Sequence, residues 1–245
     1  INKFRSLCNT NSTWQVWADF VEMAAIAIAN RVDQSQYEDR EARYLQIIKR
    51  YNQKQQAAFP AMLALTVEAL EENPDQDFLG SLYMQLELGN HWKGQFFTPF
   101  DVCHAMARIT AGDLDAAVKE KGWIGVSDPC CGAGAMFVAF ASECRRQKVN
   151  YQQRVLYVGQ DLDPVVAYMC YIQISLLGCA GYVKIGDSLT EPMTGDPLLP
   201  QPGPSLWITP MFCSDVWHWR RVWHSVDRII QTEGTSVTAG EEPRP

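Results

Sequence analysis

The chain has 245 residues, 47% of them hydrophobic, and its 21 Lys and Arg against 28 Asp and Glu give a formal net charge of −7. That apolar fraction supports a folded core and excludes a disordered chain. The acidic balance excludes a basic nucleic-acid coat, so contact with DNA would need a local basic patch or a partner.

No apolar run reaches the ~20 residues of a membrane helix and no secretory signal is visible, so a membrane partner is not expected. The eight cysteines form no C-x-x-C pair, which argues against zinc and leaves no expected metal. Several lie inside apolar runs, as buried reduced thiols do, and a reducing cytosol and cytoplasmic location follow as expectations.

From Thr13 to Leu88 the pattern is helical. "TWQVWADFVEMAAIAIANRV" places Trp14, Trp17, Phe20, Val21, Ala24, Ala25 and Ile28 at helical spacing behind a Ser/Thr cap. "YEDREARYLQIIKRYN" sets charges on one side and Tyr44, Leu45, Ile47, Ile48 and Tyr51 on the other. "PAMLALTVEALEEN" runs from Pro60 to the Asn73-Pro74 stop, and a shorter helix follows around Phe78–Leu88. Residues 1–90 read as an N-terminal helical domain.

The second half alternates. A loop, "NHWKGQFFTPF", leads to a helix, "DVCHAMARITAG"; then come a strand ("WIGVSDPC"), a glycine turn and a helix ("AMFVAFASECRRQ"). Next are a strand ("RVLYVGQDL"), a helix ("PVVAYMCYIQISLLG"), a strand ("YVKIGDSL"), a Pro-rich loop, a fourth strand ("SLWITP") and a last helix ("DVWHWRRVWHSVDRII"). Such alternation predicts an α/β fold with a mostly parallel sheet over residues 91–231. Residues 232–245 read as a disordered tail.

"DPCCGAGAM" is the strongest local signal. A strand ends at Asp128, and Gly132 and Gly134 then turn the chain into a helix, as a backbone that approaches a ligand does. The next two strands end in "GQDLD" and "GDSL", so Asp128, Asp161 and Asp187 would all reach the C-terminal rim, where open parallel sheets bind ligands. Asp163 suits a helix cap. An acidic rim disfavours a pyrophosphate and favours a ligand with an ammonium, a sulfonium and a ribose diol.

"GQFFTPFDVCHAMARI", "DPCCGAGAM", "GQDLD" and "GDSL" together resemble the N6-adenine DNA methyltransferases, most of all the modification subunits of type I restriction enzymes. The resemblance implies a Rossmann-like S-adenosylmethionine-dependent methyltransferase domain behind a helical one, with S-adenosyl-L-methionine as cofactor and DNA as partner. Phe97, Thr98 and Pro99 would lie against the methionine end. Asp128, Pro129, Gly132 and Gly134 would form the floor. Asp161 would take the ribose hydroxyls, Leu162 would pack on the adenine, and Asp187, followed by Ser188, would meet its amino group.

In that family the fourth strand ends in Asn-Pro-Pro-Phe or a close relative, whose oxygens accept both hydrogens of the target amine and aim its lone pair at the methyl group. Here Thr209-Pro210-Met211-Phe212 stands in that place, so Thr209, Pro210 and Phe212 are the catalytic candidates. The resemblance implies methylation of adenine N6 in DNA. The changed motif leaves two alternatives, a catalytically weak or inactive cofactor-binding subunit with a regulatory or structural role, and a non-DNA substrate.

The family sheet has about seven strands. A sheet truncated after strand four would expose an edge beside Trp207, which a homo-oligomer or a partner subunit would cover. Trp217, Trp219, Arg220 and Arg221 in the last helix are candidates for nucleic-acid contact, or equally for a protein interface.

Overall fold

The computed structural model describes residues 2–8, 11–86, 88 and 97–238, with side chains to residue 230. The "NHWKGQF" part of the loop before Phe97 lies outside the described residues. Six helices come first: α1 (Asn2–Leu7), α2 (Thr13–Ala29), α3 (Tyr37–Ile48), α4 (Gln53–Gln56), α5 (Ala58–Glu72) and α6 (Phe78–Gln85). Ser12 caps α2 by accepting from the Gln15 amide, and Asp77 caps α6 by accepting from the Gly80 amide.

The helical half does not stand apart. Helix α2 lies along α11 (Pro164–Leu176), the Trp17 indole donates to the Met169 sulfur at 3.4 Å, and one continuous apolar core runs from Phe4 through Trp17 and Tyr83 to Val138 and Ile172. The boundary near residue 90 is therefore a boundary of sequence pattern, with no gap in packing across it. Inside this half the buried Asp19 accepts from the Tyr51 hydroxyl at 2.7 Å, Gln15 at 2.8 Å and Arg50 at 3.0 Å, so its burial is compensated.

After α7 (Phe100–Ala111) and α8 (Leu114–Lys121) the alternation begins: β1 (Ile124–Asp128), α9 (Ala135–Arg146), a short α10 (Tyr151–Arg154), β2 (Val155–Asp161), α11, β3 (Ala180–Ile185), β4 (Leu206–Ile208) and α12 (Asp215–Thr238). The sheet order is β1-β2-β3-β4. The first three strands are parallel, with Asp128 opposite Gly159 and Asp161 opposite Ile185, so their C-terminal ends share one rim as expected. Asp163 caps α11 with Pro164 in its first turn.

The sheet is mostly parallel, as expected, and three finer points come from the structure. First, β4 is antiparallel to β3 and pairs Lys184 with Leu206 and Tyr182 with Ile208. It descends from the C-terminal rim, because the Pro-rich loop has already brought the chain to the top of β3. Second, the edge beside Trp207 is closed. Trp207 is 5% exposed under the Arg40 guanidinium, 4.5 Å from its ring, with Tyr168 and Tyr171 at its edges. At the other end of the sheet, β1 pairs with β2 alone among the described residues, and its residues alternate between half-buried and exposed. Third, α12 continues to Thr238, so residues 232–238 of the expected tail are helical, while 239–245 lie outside the described residues.

Candidate functional site

The turn from β1 into α9 is built by backbone conformations that other residues resist. Gly132 has φ +52 and Gly134 φ +91. A Cβ on Gly134 would sit 2.9 Å from the Cys170 sulfur, so this glycine serves both the turn and the close packing of α9 on α11. A Cβ on Gly132 would meet the Phe97 ring at 3.5 Å, which sets Phe97 directly over the turn.

The carboxylates hold this turn. Asp161 accepts from the Gly132 amide at 2.8 Å through one oxygen and from the Asp163 amide at 3.0 Å through the other. Asp128 accepts from the Cys130 amide at 3.0 Å. Each oxygen keeps acceptor capacity. Burial pushes both carboxyls above the usual carboxylate range; the amide bonds oppose it, and the Asp161 charge adds to the effect on Asp128.

Between them opens a cavity of about 360 Å³, walled by Phe97, Thr98, Met106, Met136 and Val166 and floored by the glycine turn. Asp128 and Asp161 line it, and among the described residues no Lys, Arg or His does. Two part-buried carboxylates that no described cation faces in the cavity suit a ligand bearing positive charge and hydroxyl donors, and disfavour a pyrophosphate.

Of the residues read from sequence, Phe97, Thr98, Asp128, Gly132 and Asp161 meet in this cavity. Gly134 stands behind it as the N-cap of α9, and Pro99 is the N-cap of α7. Leu162, 69% exposed, borders an adjoining cavity of about 720 Å³ that Asp161 shares and that Trp14, Gln15 and Asp19 of α2 wall on the far side. Pro129, Asp187 and Ser188 line neither; the Asp187 carboxylate accepts from the Leu189 amide at 2.8 Å, which lowers its pKa.

Sequence reasoning missed two buried amides. Gln173, in the middle of α11, donates to the Ala133 carbonyl at 2.8 Å and to Asp77 at 2.9 Å, and accepts from the Leu79 amide at 3.0 Å. It ties the glycine turn to the cap of α6. Gln160 donates to the Gly186 and Glu191 carbonyls, and so joins the β2 tip to the loop after β3. A lone glutamine inside "YMCYIQISLL", apolar all round, was the available signal.

The catalytic candidates are elsewhere. Thr209 is fully buried at the opposite rim, where its hydroxyl donates to the Cys179 carbonyl at 2.8 Å and accepts from the Gly181 amide at 3.0 Å. Gly181 lies four residues below the Asp161 partner Ile185 along β3, about 13 Å at strand rise. Pro210 opens a 3-10 turn, and Phe212, 3% exposed, packs edge-on to Tyr182 with the Arg221 guanidinium over its face. None of the three reaches the cavity, because an antiparallel strand ends where its parallel neighbour begins.

The nucleic-acid candidates divide. Trp217 has no exposed surface; its indole donates to the Gln152 carbonyl and Arg220 lies 4.4 Å over its ring. Arg220 also donates to the Gln153 carbonyl and Arg221 to the Phe212 carbonyl. These three residues hold α12 to the body, and Trp217 has no face left for a base. Trp219 is open to solvent.

A mostly parallel α/β sheet with a glycine turn and an acidic cavity at its C-terminal rim, lined by no Lys, Arg or His among the described residues, suits a cationic nucleoside-type ligand. Residues 75–203 match the N-6 DNA methylase family, and the chain belongs to it. It is 26% identical over 123 residues to the type I restriction enzyme MjaIX methylase subunit of Methanocaldococcus jannaschii, a match covering 48% of this chain and 20% of that protein. The chain thus spans about a fifth of the length of that curated relative. A solved structure described as a class I S-adenosylmethionine-dependent methyltransferase of Listeria monocytogenes aligns at a TM-score of 0.40 and 17% identity, over 84% of this chain and 63% of that one.

Proposed function

We propose that this chain binds S-adenosyl-L-methionine and serves methyl transfer to the N6 amine of adenine in DNA. The observation that carries the reading is the meeting of Asp128, Gly132, Asp161, Phe97 and Thr98 in one cavity that no Lys, Arg or His lines among the described residues, inside the segment that matches the methylase family. When bound, the cofactor supplies an electrophilic methyl group on sulfur. Asp161 has spare lone pairs for ribose hydroxyls, Asp128 offsets positive charge, and Phe97 and Thr98 exclude water from the methionine end. Leu162 supplies an apolar face for the adenine, with Asp187 at the same rim.

A second reading is favoured by the burial of Thr209 and by the place of β1 at the end of the sheet, paired with β2 alone among the described residues. In it the chain is the cofactor-binding part of a larger assembly. The groups that accept the amine hydrogens then arrive on another segment, from a longer protein or a partner subunit, that pairs along β1 beside Asp128.

Titration calorimetry with S-adenosylmethionine tests the cofactor site, and absence of heat sinks both readings. Tritiated methyl transfer to unmethylated DNA then separates them: transfer by the chain alone favours the first, and transfer only after a partner is added favours the second. No described helix is long and apolar enough to cross a membrane.

A further inference from the structure

Helix α12 has two opposite faces, and the fold uses one of them. On that face Trp217, Arg220 and Arg221 bond to the Gln152, Gln153 and Phe212 carbonyls, and His224 and Arg228 meet Asp196. On the other face Val216, Trp219, Trp223, Val226 and Ile230 follow at alternating spacings of three and four residues, and every one is exposed. Trp219 and Trp223 keep 56% and 64% of their surface open. A 3-4 alternation averages 3.5 residues, the period that holds an apolar seam against a second helix.

We infer that this seam is a homodimer interface in which α12 packs antiparallel against α12 of a second copy, across a two-fold axis at Trp223. The seam is nearly symmetric about that residue. Val216 lies seven residues before it and Ile230 seven after, so the two meet across the axis; Trp219, four before, comes beside Val226 of the second copy, three after, offset by one residue's rise of about 1.5 Å. The charges agree with this direction. Arg220 stands at the border of the two faces and gives one guanidinium N–H to the Gln153 carbonyl, which leaves it further donors; three residues before the axis, it comes beside the second copy's Asp227, four after it, and the pair forms twice, whereas side by side in parallel the two would not meet.

The exposed surfaces of these five residues and the flanking Ile229 sum to on the order of 600 Å² per chain, near the ~800 Å² per partner of a stable interface. The docked face turns the seam away from the body, and a two-fold contact needs only a self-complementary patch. This inference stands independently of the methyltransferase reading.

Sedimentation of the full chain over a concentration series tests it. Wild type is expected to be a dimer and Trp223→Glu a monomer with unchanged far-UV circular dichroism, since Trp223 keeps 64% of its surface open. Trp219→Glu is the second such variant. Asp227→Arg is expected to weaken the dimer roughly tenfold. Direction is read by cysteine cross-linking against wild type under non-reducing conditions. Trp223→Cys is expected to give a covalent dimer and Ile230→Cys none, because positions 230 of an antiparallel pair lie about 20 Å apart along the axis. A monomeric wild type, a dimeric Trp223→Glu, or cross-linking at 230 would each overturn the proposal. So would a monomer whose DNA binding is lost in Trp223→Glu, which would make the seam a nucleic-acid surface.

Discussion

The two rims of the sheet are built from similar residues to opposite ends. At the C-terminal rim, Asp128 and Asp161 are held by backbone amides in positions where burial disfavours their charge, with no Lys, Arg or His lining their cavity among the described residues. At the N-terminal rim, the Thr209 hydroxyl, the Trp217 indole and the Arg221 guanidinium bond to carbonyls of the fold itself. Both rims carry polar groups. One leaves its electrostatic demand open for a ligand and the other closes it internally, and that difference marks the site.

The comparison is most severely tested by Trp217→Ala. It leaves a cavity and an orphaned carbonyl at the closed rim, so a loss of about 3–5 kcal/mol in chemical denaturation is expected. At the open rim, Asp161→Ala is expected to cut S-adenosylmethionine affinity about a hundredfold by calorimetry, through lost ligand contacts and a slackened Gly132. Gly134→Ala combines a disfavoured φ with a contact to Cys170, and should cost about 1–3 kcal/mol in thermal unfolding.

Thr209→Val strands the Gly181 amide and the Cys179 carbonyl. It should lower stability by about 1–2 kcal/mol and leave cofactor affinity unchanged. Thr209→Asn should likewise destabilise and should not raise methyl transfer; a gain of activity would restore the catalytic role that the geometry removes.

The smallest expected effect is in pH. A carboxyl whose folded-state pKa is raised binds protons more tightly in the folded protein, so its penalty is absent below the unfolded value, grows through the window above it and is full at neutral pH. Asp128→Asn should therefore raise the melting temperature slightly at neutral pH, with the gain vanishing as pH falls through the carboxylate range. Cofactor affinity of the wild type should fall in that same window as Asp128 and Asp161 take up protons.

Much of the fold was legible because its signals are local. The helical spacing around Trp17, the strand–turn–helix at Gly132 and Gly134, and the Asp163 cap with Pro164 all lie within a few residues of what they determine. Asp128 and Asp161 were readable as residues of one rim for the same reason: in a parallel sheet, the end of every strand falls on one rim. Gln173 and Gln160 were harder, since their partners are distant in sequence and only their isolation among apolar neighbours hinted at buried bonds.

The sequence by itself determined the elements, the parallel core of the sheet and the acidic glycine turn, because backbone preference and side-chain period act over short distances. Only the tertiary structure decided the direction of β4, the covering of Trp207, the end position of β1 in the sheet and the two faces of α12. Direction across a long Pro-rich loop, and which face of a helix meets the body, depend on contacts between residues far apart in the chain. Thr209 looked like a place to hold a substrate, and the strand that carries it runs the other way.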